Sequence, residues 1–152
     1  MDQARNTSSV TAVLTDVSET GKPEIAVAAG ILRDRAGRAL IAQRPEGKHQ
    51  AGWWEFPGGK LCETETPLEA LTRELWEELG IEVHAAEPLL TYRHDYPERV
   101  VELHVWCVLA FTGEPIGVEG QALRWSRIDE LLETGLLPAD RPIVEALAEL
   151  EA

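Results

Sequence analysis

The spacing of apolar residues changes several times along this chain, and each change predicts an element. Ile25 to Leu32 is a short, nearly unbroken apolar run, as expected of a buried strand. Asp34-Arg35-Ala36-Gly37 has turn chemistry, and Ala39 to Gln43 resumes as a second strand. A polar loop, Pro45 to Gly52, leads into Trp53-Trp54-Glu55-Phe56-Pro57-Gly58-Gly59. Leu68, Leu71, Leu75 and Leu79 then recur at helical spacing. Thr66 suits the N-cap of that helix, Pro67 its first position, Glu69 a capping box and Gly80 its end. Strands are predicted at Glu87 to His94 and Arg99 to Phe111, around the turn Asp95-Tyr96-Pro97-Glu98. After a loop from Gly113 to Gly120 come a short strand (Ala122 to Ser126), a short helix (Ile128 to Leu132) and a final amphipathic helix (Pro142 to Leu150). Strands and helices intermix in one unit, so the fold class is α/β (α+β), a mixed sheet between helices spanning residues 23–152. Residues 1–22 carry no sustained period and are expected to be a flexible extension, with an edge strand around Val10 to Val17 as the alternative.

Composition agrees with one globular domain: 152 residues, 44% hydrophobic and 27% charged. No apolar run approaches the ~20 residues of a membrane helix, and no secretory signal pattern opens the chain. Cys62 and Cys107 lack metal-ligand spacing and read as free thiols in a reducing cytoplasm. The net charge of −13 disfavours polymeric nucleic acid and anionic membranes as partners. A small phosphorylated ligand needs a local source of positive charge, and surplus carboxylates provide one by holding cations.

The predicted helix concentrates those carboxylates. Glu74, Glu77 and Glu78 share one side of it, beside the leucine stripe rather than opposite it. Three acids crowded beside a buried face lower helix stability, yet they suit hard cations such as Mg²⁺, with Mn²⁺ as a substitute. The frame around them is more specific. GKLCETETPLEALTRELWEELGI, Gly59 to Ile81, agrees at every fixed position with the Nudix box, and the chain resembles the Nudix hydrolases. Gln43-Arg44, the loop to His49, Trp54 to Lys60, Tyr96-Pro97-Glu98-Arg99, Gly117 to Gly120 and Pro138 to Pro142 extend the likeness to the MutT branch, the nucleotide-pool sanitisers.

The resemblance implies a Nudix fold and water attack on a phosphorus, with a nucleoside triphosphate such as 8-oxo-dGTP giving the monophosphate and pyrophosphate. It implies that the Gly58 carbonyl, Glu74, Glu77, Glu78 and Glu119 hold metal, and that Glu74 also orients or deprotonates the attacking water. Arg73 would fix a box carboxylate, Glu65 would support from behind, and Lys60 would position a carboxylate or phosphate. Arg44 would hold phosphate oxygens, with His49, Phe56, Arg99 and Asp140 on the substrate side. The MutT branch typically carries an asparagine where this chain has Asp140, and a sister branch acting on CTP and modified cytidine nucleotides resembles the Pro-Ala-Asp segment. Pro97 lies loosely where ADP-ribose hydrolases carry a proline, and a binding module without hydrolysis would be expected to have a degenerate box, which this is not. The sequence does not set the oligomeric state; a monomer is the simpler expectation.

Overall fold

A computed structural model describes the backbone of residues 14–17 and all of residues 21–151. Among these described residues, eight strands and two α-helices follow in the order β1 (Leu14–Val17), β2 (Pro23–Ile31), β3 (Ala39–Gln43), β4 (Trp54–Glu55), β5 (Gly58–Lys60), α1 (Pro67–Leu79), β6 (Glu82–Asp95), β7 (Val100–Thr112), β8 (Leu123–Ser126) and α2 (Arg141–Glu151). Short 3-10 helices lie at Ile128–Glu133 and Pro138–Asp140, the second running directly into α2.

The main sheet has the order β1-β2-β7-β6, with β5 also on β2, and a smaller sheet has the order β4-β3-β8. β2 and β7 are parallel, from Glu24 opposite Val100 to Ile31 opposite Cys107, while β6 and β7 form a long antiparallel pair. Alternation along β2 divides the interior. Ala26 and Ala28 face a core built with Leu71, Leu75 and Leu79 of α1. Ala29 and Ile31 face a second core with Ile143, Val144 and Leu147 of α2. A strand buried on both faces reads as an unbroken apolar run, which is why periodicity was invisible there. Gly30 permits the close approach of α1, since a Cβ there would lie 3.0 Å from a Leu71 methyl.

The helix α1 has the expected ends. Thr66 and Glu69 form a reciprocal capping box, and Gly80 closes the helix with φ of 70°. Elsewhere the structure corrects the sequence reading. Leu14–Val17, within the expected extension, is a strand on β2, beside Pro23 to Ile25; β5 covers only the other half of that edge. The rest of the alternative Val10 to Val17 strand lies outside the described residues. β6 begins at Glu82, well before the predicted Glu87; its first half is an edge strand whose polar residues hide the alternation, and a register shift follows Pro88, which cannot donate to the ladder. β4 and β5 are too short for a period. Trp53 is exposed, whereas Trp54 packs against the α2-side core.

Candidate active site

Burying the leucine face of α1 fixes where its acids go. Glu74 and Glu78 lie on the flank that meets β5, half-buried, while Glu77 one step further round is exposed. The fit between α1 and β5 depends on glycine: a Cβ on Gly59 would sit 2.3 Å from the carboxyl carbon of Glu74. Gly58, with φ of 155°, is as constrained, since a Cβ there would meet the Ala28 carbonyl at 2.0 Å. Burial, together with the neighbouring charges of Glu74 and Glu55, pushes the Glu78 carboxyl up to about 9; Glu78 shares a hydrogen bond with Glu74, and the Gly58 N–H opposes the shift. Two touching carboxyls, one of them strongly disfavoured as an anion, form a hard oxygen donor set that a divalent cation fits.

Arg73 organises the other acids. Its guanidinium donates to Glu65 through two nitrogens, to Glu74 and Glu77 at 3.0 Å each, and to the Lys60 carbonyl at 3.0 Å. Hydrogen bonds from Arg73 hold the Glu65 carboxyl below its ordinary range, aided by the Cys62 N–H at 2.8 Å. Arg73 thus fixes three carboxylates. Because it draws Glu77 outward and Glu119 sits on an exposed turn, no three acids, histidines or cysteines among the described residues close into a compact cage. Glu119 nevertheless borders the same cleft. Gly58 presents its N–H to Glu78 and borders the cleft too.

That cleft has a volume of about 730 Å³. Glu74, Glu77, Glu78 and Glu119 line it together with Arg44, Lys48, His49, Tyr96 and Arg99 and the buried Phe56, Ala139 and Asp140. Five of the chain's 14 Lys and Arg residues line it: Arg44, Lys48, Lys60, Arg73 and Arg99. Arg44 donates to Glu55 at 2.9 Å and to the His49 carbonyl at 2.6 Å. Arg99 stacks over Tyr96, 5.4 Å from the ring centroid, and its buried Nε has no protein partner among the described residues. The Lys60 side chain is exposed at the rim and contacts Arg73 only through its backbone.

Asp140 is 6% exposed, and its Oδ2 accepts the Phe56 N–H at 3.2 Å. Burial raises its carboxyl to about 7; the Phe56 N–H and the Arg44 charge act against that rise, and Glu55 adds to it. The Phe56 side chain, expected beside a ligand, is itself a core residue 4% exposed that only borders the cleft. Sequence reasoning missed Glu55, Tyr96 and Tyr92. Glu55, buried enough to raise its carboxyl despite Arg44, lies among Glu78, Asp140 and Arg44. Tyr92 donates to the Ala139 carbonyl at 2.6 Å and fixes the segment that bears Asp140. A lone acid between two aromatics, as in Trp54-Glu55-Phe56, was the available signal for the first; Tyr92 had none.

A nucleotide-hydrolysing family with this box and this fold is recognisable by comparison. Residues 28–146 match the family described as NUDIX domain, and the chain belongs to it: it is a Nudix hydrolase of the MutT-like branch. Nudix hydrolases generally use divalent metal ions. Among its relatives are the CTP pyrophosphohydrolase of Escherichia coli, 44% identical over 84% of this chain and 94% of that protein, and the 8-oxo-dGTP diphosphatase of Haemophilus influenzae, 39% identical over 83% and 93%. The solution structure of the E. coli ORF135 protein superposes with a TM-score of 0.77 at 41% identity, covering 89% of this chain and 96% of that one.

Proposed function

We propose that this enzyme is a Mg²⁺-dependent nucleoside triphosphate pyrophosphohydrolase that takes 8-oxo-dGTP, releasing 8-oxo-dGMP and pyrophosphate, and that it reads its base through Asp140. Divalent cations, when bound, neutralise phosphate oxygens and acidify water. Glu74 and Glu78 would hold them, joined by Glu77, Glu119 and the Gly58 carbonyl. Glu74 accepts the proton of the attacking water, Arg73 keeps its carboxylate aimed, and Arg44 and Arg99 donate to the phosphates.

The observation carrying the base assignment is the buried, elevated carboxyl of Asp140 at the inner end of the cleft. A neutral carboxyl offers one donor and one acceptor side by side, whereas a carboxylate only accepts. 8-Oxoguanine presents O6 and N7–H, a matching acceptor–donor edge; guanine presents two acceptors there. Cytosine presents N3 and the N4 amine, which match as well. The relation to a CTP pyrophosphohydrolase gives that second reading, CTP or a modified cytidine triphosphate, its own support.

A panel of 8-oxo-dGTP, dGTP, CTP, 5-methyl-dCTP and ADP-ribose, assayed with Mg²⁺ for product identity, tests this. The expected products are a monophosphate and pyrophosphate, with 8-oxo-dGTP well above dGTP. Diphosphate and orthophosphate as the main products would refute the reaction, and ADP-ribose or CTP as the preferred substrate would reassign it. In the same assay Glu78→Gln should lower turnover about 10³-fold with the fold intact, because an amide is a poor ligand for a hard cation. Turnover within tenfold of wild type would remove Glu78 from the ligand set.

A further inference from the structure

The last carbonyls of a helix have no partners within it. At the end of α1 these are the carbonyls of the acid-bearing turn, and the loop that carries Glu119 supplies their donors. Ile116 N–H reaches the Leu79 carbonyl at 3.0 Å, and Val118 N–H reaches the Glu78 carbonyl at 3.1 Å. The second lone pair of the Glu78 carbonyl is taken by the side chain of Gln121, whose Nε2 donates at 3.1 Å. The Oε1 of the same amide accepts the N–H of Glu119 at 2.9 Å. One side chain therefore spans the backbones of Glu78, on the helix, and Glu119, on the opposing turn.

The amide's orientation is dictated by its partners, since only the oxygen can accept an N–H and only the nitrogen can donate to a carbonyl. No other side chain of this length makes both bonds: a glutamate has the acceptor but lacks the donor. The loop is built tightly around this bridge. Gly120 N–H closes a turn on the Gly117 carbonyl at 2.9 Å, and a Cβ on Gly117 would strike the Gln121 carbonyl at 2.1 Å.

We infer that Gln121 is a positioning residue that sets the distance between Glu119 and Glu78 across the metal-binding end of the cleft. The inference rests on the proposed metal role of those two acids. Gln121 touches neither substrate nor metal; it acts by holding two carboxylate-bearing backbones at one separation, so that a cation meets both without first ordering the loop. Such supporting contacts typically change metal affinity about 10–100-fold, and the lower end is expected here because the backbone bonds of Ile116 and Val118 remain.

The test uses the full chain and Mn²⁺ as the probe, with binding followed by the loss of the free-ion resonance signal. Gln121→Ala and the isosteric Gln121→Glu should each weaken Mn²⁺ binding about tenfold and raise the half-saturating Mg²⁺ for hydrolysis in step. The nucleotide KM at saturating metal should stay within about twofold, since uniform substrate binding is untouched. In a Glu119→Ala background, Gln121→Ala should add less than about twofold, because the spacing it sets has lost its purpose. Mn²⁺ affinity equal to wild type in both variants, or an undiminished tenfold loss in the Glu119→Ala background, would overturn the inference. Wild-type protein that binds no Mn²⁺ would instead defeat the metal reading of the site, and this inference with it. Melting by circular dichroism separates either outcome from a failure to fold, and Gln121→Glu, which preserves volume, keeps the test open if the alanine variant is unstable.

Discussion

Asp140 is an acid buried where its ionised form is disfavoured. With its carboxyl raised from 3.8 to about 7, the folded protein binds a proton between these values that the unfolded chain has released. Stability from this group is therefore intact below pH 4, falls as pH rises through the window, and is lowest above pH 7. The deficit is at most about 4 kcal/mol at 1.36 kcal/mol per unit. Asp140→Asn should then raise the melting temperature at pH 8 and have little effect near pH 4; a gain independent of pH would show that Asp140 is not held neutral. Under the proposed base assignment the same proton would govern recognition. Recognition of 8-oxo-dGTP, whose O6 meets the carboxyl proton, should weaken above pH 7 in wild type and persist in the asparagine variant. A pH profile for 8-oxo-dGTP that is the same in wild type and in Asp140→Asn would remove Asp140 from the base. The residue type at this position was readable from sequence; its burial was not, because it depends on Phe56, Tyr92 and Ala139 coming together from separate elements.

Elements that declare themselves locally were legible, and those that depend on distant partners were not. α1 shows a helical period, a capping box and a terminal glycine within one continuous segment, and it forms over the predicted residues. β5 has three residues, two of them glycine, and is a strand only because β2 lies beside it. The contact between α1 and β5 is nevertheless closely fitted. Gly59→Ala would place a methyl inside the Glu74 carboxyl group, and the flexible end of that side chain would swing aside. The expected result is a fall in kcat of at least about 10²-fold, the scale of a misplaced catalytic group, with a melting temperature within a few degrees of wild type, since overpacking here is relieved by one movable side chain. A large loss of stability with kcat preserved would show that the backbone yields and Glu74 does not.

At the scale of the whole molecule, two cores meet at one sheet, and the cleft opens beside it. The net charge of −13 leaves that cleft, with Arg44, Lys48 and Arg99, as a concentration of cations bordered by acids. Short phosphate chains can be accommodated there; a polymer would have to cross the surrounding negative surface. A labelled single-stranded oligonucleotide should show no anisotropy change at low salt and micromolar protein, where basic nonspecific binders have dissociation constants of roughly 10⁻⁴–10⁻⁶ M. Salt-sensitive binding in that range would mean that a basic track extends beyond the cleft. That expectation rests on net charge alone, which the sequence shows; the division of the interior did not show, because residues facing both cores read as one apolar run along β2. That division has a consequence for descent. The box acids proposed to hold metal ride on α1 and pack with one core, whereas Asp140 enters from the segment leading into α2 and belongs to the other. Under the proposed base assignment, a single codon change at position 140 would alter which nucleotide is taken while leaving the α1 core unstrained, so relatives sharing one box would be free to diverge in what they hydrolyse.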